Sequence, residues 1–312
     1  MTLILVLLTL GSVRASDEFS KVGTTGFVFL EIPVSARSVG LAETGIALVD
    51  AGVDGLFLNP ALIAGQVLPV ALGVTQSDWY VETTHQAIGL TVRAGALGVV
   101  GLQAINLDFG TIRKTRNPTW YEQGSYIDLG TYTAGAYALG LSFARTMTDR
   151  FSFGSTVKYV RETIDGYYAD NTVVDIGFLY YTGFGNLRIA TCLQNFGLET
   201  EYVSEKFKMP QRLTLGLASE ILGEPNSSHY LTVLLEAVHP NDTGEHIHGG
   251  LEGALGPLRL RGGYKFGYED EGLTLGFGLQ TRLAGRLLSS DFAYAQHDYL
   301  DTTLRYSLMV SF

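Results

Sequence analysis

The chain of 312 residues holds one cysteine, Cys192, so it can form no internal disulfide. Lysine and arginine total 21 against 31 acidic residues, and the resulting net charge of −10 argues against nucleic acid, which calls for a basic face. After residue 20 no run approaches the roughly 18 consecutive apolar residues of a transmembrane helix. Any membrane crossing must therefore be made of strands, whose backbone groups are satisfied only in a closed barrel. No Gly-x-Ser-x-Gly elbow is present and the carboxylates follow no recognisable pairing, so no enzymatic activity is expected. Gly95–Gly98 and Gly249–Gly253 lie between no strand and helix and precede no Gly-Lys-Ser/Thr, which leaves no phosphate cradle and no expected cofactor.

What is present points the other way. There are 38 glycines and 17 tyrosines, while charged residues make up only 17% of the chain, an unusual balance for a soluble domain. Barrels use both residues, glycine where a wall bends or a plug packs closely and tyrosine where the wall meets lipid headgroups. Residues 1–15 read as a secretory leader, with an apolar run from Leu3 to Leu10 and a small-residue cleavage site at Val13-Arg14-Ala15.

From about residue 68 the sequence alternates in segments of about ten residues separated by turn signals, the mark of a membrane barrel. Fourteen strands are predicted, near 68–76, 84–94, 96–107, 131–145, 151–164, 171–183, 186–197, 210–220, 229–239, 246–256, 258–268, 272–283, 287–297 and 302–312. In the fourth, Tyr137, Leu139, Leu141 and Phe143 alternate with Ala136, Ala138, Gly140 and Ser142; in the twelfth, Leu273, Leu275, Phe277 and Leu279 alternate with Thr274, Gly276, Gly278 and Gln280. Lys158, Asp175, Arg212, Glu236, Arg259, Arg261, Asp291 and Arg305 fall on the second face. A lipid-facing Arg or Lys at the midplane costs about 2–4 kcal/mol, so these charges are expected in the lumen.

Asp108–Gly130, Leu198–Met209, Leu222–Ser228 and His239–Glu245 read as long loops, which in such barrels face outward. The first, with Trp120 and Tyr121, is the candidate external contact surface. His246 and His248, with His239 and either Glu245 or Asp242, invite a metal reading, but their spacing matches no zinc pattern and a solvated junction is preferred.

Within residues 16–66, the stretch 24–65 does not alternate like the barrel. Gly40, Ala42, Gly45, Ala47, Ala51, Gly52 and Gly55 give a segment slim enough to thread a confined space, a plug ahead of a barrel over residues 67–312. Phe27, Phe29, Leu30, Leu56, Phe57 and Leu58 in it either line an apolar pocket or, the preferred reading, pack on the inner wall.

Phe27 to Pro33 with Ser35-Ala36-Arg37, then Leu56-Phe57-Leu58-Asn59-Pro60-Ala61-Leu62, resemble the N-terminal signature of the PorV/PorQ family of outer-membrane proteins. The Asn59-Pro60-Ala61 step is also similar to the plug of FadL-type fatty-acid channels. Leu193 to Gly197, Met209 to Leu213, Arg259 to Gly263 and the closing Ser307 to Phe312 extend the resemblance over nearly the whole mature chain. It implies an all-β transmembrane antiparallel barrel of about fourteen strands, with the N-terminal plug in its lumen, in the bacterial outer membrane. It further implies a protein-binding role in type IX secretion, with secretion-system components or cargo C-terminal domains as partners. The alternative is a passive channel for long-chain fatty acids or other hydrophobic small molecules.

The last strand alternates Leu304, Tyr306, Leu308, Val310 and Phe312 outward, and an edge of that kind needs closure against the first barrel strand. Phe312 then reads as the assembly signal met by the barrel-assembly machinery, with outer-membrane lipid as the surrounding partner. Phe312→Asp is expected to reduce the heat-modifiable, membrane-inserted fraction in cell envelopes. Unchanged insertion would count against this role.

Overall fold

The computed structural model describes residues 22–312, apart from 82, 203, 226 and 301. The predicted leader over residues 1–15 lies outside the described residues. Fourteen antiparallel strands close into one barrel: β1 (Val70–Asp78), β2 (Thr84–Arg93), β3 (Val99–Arg116), β4 (Ile127–Thr148), β5 (Phe151–Ile164), β6 (Tyr167–Tyr181) and β7 (Arg188–Gly197), then seven more after a small hairpin. The hairpin is β8 (Thr200–Tyr202) and β9 (Glu205–Phe207). The wall continues with β10 (Arg212–Leu222), β11 (His229–Pro240), β12 (His246–Leu255), β13 (Leu258–Phe266), β14 (Glu271–Leu283), β15 (Arg286–His297) and β16 (Thr303–Ser311). Every strand pairs with its neighbours in sequence, and β16 closes on β1 from Ala71↔Ser311 to Asp78↔Leu304. Two backbone bonds between Val70 and Phe312, at 2.9 and 2.8 Å, finish the seam.

The two faces divide as strand alternation requires. In β4, Leu139, Leu141 and Phe143 are exposed while Ala138, Ser142 and Ala144 are buried; in β14, Leu273, Leu275, Phe277 and Leu279 are exposed and Thr274 is buried. All eight charged strand residues expected in the lumen are buried or nearly so, and none faces outward. An apolar exterior around a polar interior defines a membrane-spanning barrel.

The long loops need correction in two places. Most of Asp108–Gly130 is strand: β3 and β4 stay paired to Arg116↔Ile127 through register shifts after Asp108 and Arg113, and the true connection is only residues 117–126. The 18 residues of β3 extend about 60 Å at about 3.3 Å each, well beyond an apolar band of about 25 Å even when tilted. Outside the bilayer both faces of the hairpin are wet, so Arg113, Lys114 and Asp128 are tolerated in strand. Those charges are what made the segment read as loop. The connection between β10 and β11 belongs to the other end of the barrel, with the tight turns, because the strands on either side fix the direction of travel. Leu198–Met209 does lie at the loop end and carries the β8–β9 hairpin.

The plug enters at the loop end, where Thr25 donates to Asp242 at 2.6 Å, and leaves at the turn end into β1. Its secondary structure is slight: a turn at Val28–Glu31, one helical turn α1 (Ala36–Val39), a second α2 (Gly55–Leu58), and a 3-10 stretch at Pro60–Gly65. Ser35 caps α1 by accepting from the Ser38 amide. Such short helices are not stable alone, and the wall supplies what they lack.

Close approach is made at glycines that face each other across strands. Gly154 of β5 pairs with Gly177 of β6, and side chains there would strike the Pro60 backbone and the Asn59 carboxamide. Gly73 pairs with Gly89, under Val53, and Gly250 pairs with Gly263, under Leu41 and Ala42. Gly177→Val would force Asn59 from its seat at a cost of at least about 1–3 kcal/mol. Urea unfolding in lipid vesicles should show that loss, and limited proteolysis should cut the plug sooner.

Candidate functional site

Ion pairs fasten the plug to one side of the lumen. Arg37 of α1 grips Glu252 of β12 with Nε at 2.8 Å and Nη2 at 2.7 Å, and its Nη1 donates to the Asp50 carbonyl at 2.9 Å. Glu252 also accepts from Arg261 Nε at 2.7 Å and from the Tyr230 hydroxyl at 2.9 Å, while Arg261 Nη1 reaches Asp291 at 2.6 Å. Two arginines and two carboxylates thus form one buried chain with no net charge. Loss of one partner from a buried pair costs about 3–5 kcal/mol, because the other charge is left unanswered.

A second cluster centres on Glu43, which bonds Lys265 and accepts from Arg212 at 3.4 Å; Lys265 also holds Glu271. Burial would push the Glu43 carboxyl up, but Lys265 and Arg212 outweigh it and hold the group at about 2. Glu236 of β11 accepts from the Gly45 and Ile46 amides at 2.6 and 2.9 Å. Arg188 forms a two-pronged pair with Glu220 and donates to the Ala47 carbonyl at 3.1 Å. The plug's ion pairs thus run only to β10, β12 and β13; among the described residues none joins it to β1–β6.

Beside the Glu43–Arg212 pair a cavity of about 60 Å³ lies between plug and wall. Leu30, Ile32, Val34, Leu56, Phe57 and Leu58 line it from the plug, and Ile105, Gln103, Gln194 and Lys158 from the wall. Phe27 and Phe29 instead pack against Phe207 and the buried cluster with Val160 and Val173. All six bulky plug residues pack in or against buried clusters, and four of them, Leu30, Leu56, Phe57 and Leu58, also line the cavity. Asn195 stands at the wall of the same cavity with φ of 58°, its amide donating to Asp175 at 2.8 Å and its carboxamide accepting from Lys158 at 2.5 Å. This bulge shifts the β6–β7 register after Val174 and puts three polar groups at the cavity wall, which Glu31, Glu43 and Arg212 also line.

Asn59 is fully buried and makes three bonds: its oxygen accepts from the Ala61 amide at 3.0 Å, and its nitrogen donates to the carbonyls of Ile46 at 2.9 Å and Phe178 at 3.2 Å. Pro60 starts the following 3-10 turn. The Asn59-Pro60-Ala61 step is thus a joint that locks two plug passes to β6, away from the cavity. Trp120, 96% exposed, meets Tyr121 edge to face at the tip of the β3–β4 hairpin. Phe312 is half exposed beside Arg286. His246 stacks on Tyr268, and His248 Nε2 bonds the Tyr268 hydroxyl at 3.0 Å. His239 pairs with Glu245 in the open. Among the described residues no group of histidine, cysteine and acidic side chains is arranged to hold a metal ion. The Arg37–Glu252 chain was missed in the sequence, although an arginine in a segment of small residues and a glutamate at an inward strand position was the available signal.

No protein-family model matches this chain, and comparison with curated proteins finds no match. Solved structures do share its fold. The CymD monoaromatic hydrocarbon channel superposes with a TM-score of 0.61 over 92% of this chain and 99% of its own, at 12% identity. A Pseudomonas aeruginosa FadL homologue gives 0.57 over 89% and 98% at 11% identity. The Pseudomonas putida toluene transporter TodX gives 0.55 over 89% and 96% at 12% identity. The fold is therefore that of the FadL-like barrels.

Glu31, at the cavity's loop-end rim, is pushed up to about 7 by burial, with Asp242 adding and Arg212 opposing. Below the ordinary carboxyl value of 4.5 the group is neutral in both folded and unfolded chains and costs nothing. Between about 4.5 and about 7 only the unfolded chain ionises, so stability falls with rising pH, by less than about 1.4 kcal/mol per unit. Denaturant unfolding at pH 4.5 and 7.5 should show a smaller drop for Glu31→Gln than for the wild type.

Proposed function

We propose that this protein is a bacterial outer-membrane channel that admits small apolar molecules, with the plug as its stop. The observation that carries this reading is the cavity beside the plug, where Leu30, Ile32, Val34, Leu56, Phe57 and Leu58 give an apolar surface, edged by Glu31, Lys158, Gln194 and the Glu43–Arg212 ion pair. Such a lining suits a molecule with an apolar body and a polar end. The fold likeness to channels named for monoaromatic hydrocarbons and toluene supports the same class of cargo. No catalytic residue is required.

A second reading keeps a protein partner, as in type IX secretion, with cargo C-terminal domains or secretion-system components bound at the loop end. It rests on Trp120 and Tyr121, two bare aromatics at the tip of a hairpin that stands clear of the bilayer. Exposed aromatic anchors are what protein interfaces use.

One experiment separates the two. Vesicles holding the purified barrel should take up labelled toluene or laurate faster than empty vesicles. Leu30→Trp, which fills the cavity, should slow uptake severalfold, whereas Trp120→Ala should leave it unchanged. No uptake above empty vesicles, together with loss of a co-purifying secreted protein in Trp120→Ala, would replace the first reading with the second.

A further inference from the structure

Near the loop end of the inner wall, His85 of β2, Ser77 of β1 and Arg305 of β16 stand in one row, Ser77 being paired with His85 on one side and Arg305 on the other. None is more than 1% exposed. The Ser77 hydroxyl, both ring nitrogens of His85, and Nε and Nη2 of Arg305 have no hydrogen-bond partner. Five polar atoms of three adjacent side chains are thus buried together and unanswered, whereas the other such atoms among the described residues occur one to a side chain.

The other buried arginines are answered. Arg37, Arg188 and Arg261 have carboxylates, and Arg259 has the Gln280 side chain. Around Arg305 the acidic groups Glu43 and Glu271 are both engaged by Lys265, and the Tyr80 hydroxyl is taken by His297. Nε and Nη2 form one edge of the guanidinium, the same edge with which Arg37 grips Glu252. That edge matches the two oxygens of a carboxylate. The Trp79 ring lies 5.5 Å from the Arg305 guanidinium carbon, and the next residue in the row is the small Ala293. On the other side His85 pairs with Leu107, two positions from Ile105, which lines the plug cavity.

We propose that Arg305, Ser77 and His85 form a binding site for a carboxylate. Arg305 offers its free edge as a two-pronged donor, and the Ser77 hydroxyl and one His85 N–H donate from the flank. The site supplies the missing counter-charge of Arg305 and does not depend on whether the barrel conducts.

Trp79 gives the readout. The chain has two tryptophans, so Trp120→Phe leaves Trp79 alone beside the site. The full barrel in detergent, in that background, is titrated with benzoate, with neutral benzamide and with decanoate. Benzoate should change Trp79 fluorescence saturably and benzamide should not. Arg305→Gln should weaken benzoate by about tenfold or more, the usual loss for a charge-assisted pair. A decanoate affinity well above that of benzoate assigns the site to a lipidic acid, and an equal affinity to a small soluble acid; both support it. No saturable change with either acid, an equal response to benzamide, or undiminished binding in folded Arg305→Gln would overturn it. If Arg305→Gln does not fold by heat-modifiable migration, Ser77→Ala and His85→Phe carry the test, and unchanged affinity in both has the same force.

Discussion

A slim plug can sit against a barrel wall only where the wall has nothing to put in its way, and the facing glycine pairs set that condition. Strand alternation sends every second side chain inward, so an inner wall is crowded by default. Removing a side chain from one strand opens a pit too narrow for a backbone, whereas removing it from two paired residues opens a flat patch. Gly154 with Gly177, Gly73 with Gly89, and Gly250 with Gly263 are such patches, and each receives a different pass of the plug. The condition is mutual: at Gly40 and Gly276 both partners are glycine, and a Cβ on Gly40 would lie 2.9 Å from the opposite Cα.

Once the backbone is that close, its polar groups are cut off from water and must be answered by the wall. Glu236 takes two plug amides, Thr274 accepts from the Ala42 amide and Ser307 from that of Ala36, each within 3.0 Å. These are inward positions where an apolar residue would have left an amide unpaired, at about 1–3 kcal/mol each. Close packing and polar composition in this lumen are therefore one requirement seen twice.

The barrel was legible because its signal is periodic. Strand number, seam and the inward placement of Lys158, Arg261 and Arg305 all follow from a two-residue repeat and the cost of charge in lipid. Where that cost vanishes the signal misleads, as in Thr111–Arg116, which is strand but wet on both faces. The site was less legible for a related reason. Arg37 and Glu252 are 215 residues apart, and nothing local in either neighbourhood names the other. Asn59-Pro60-Ala61 was visible as a motif, yet its meaning depends on Gly177 and Phe178, which come from a strand more than a hundred residues later. The bulge at Asn195 leaves the alternation of β7 almost intact in the sequence and alters only which partner each residue meets.

The lumen is unequal in a way that bears on movement. Ion pairs and carboxylate–amide bonds are directional and lose most of their strength over a short displacement, so the side of the plug facing β10–β15 is held in one place. The side facing β1–β6 has no ion pair among the described residues and rests on glycine patches, on the Asn59 bond to the Phe178 carbonyl, and on apolar contacts such as Val53 and Leu56, which depend on area and tolerate sliding. A cavity of about 60 Å³ has room for a water or two and not for an organic molecule. For the proposed channel, passage requires the plug to shift, and the Arg37–Glu252 and Glu43–Lys265 attachments are bonds that resist such a shift.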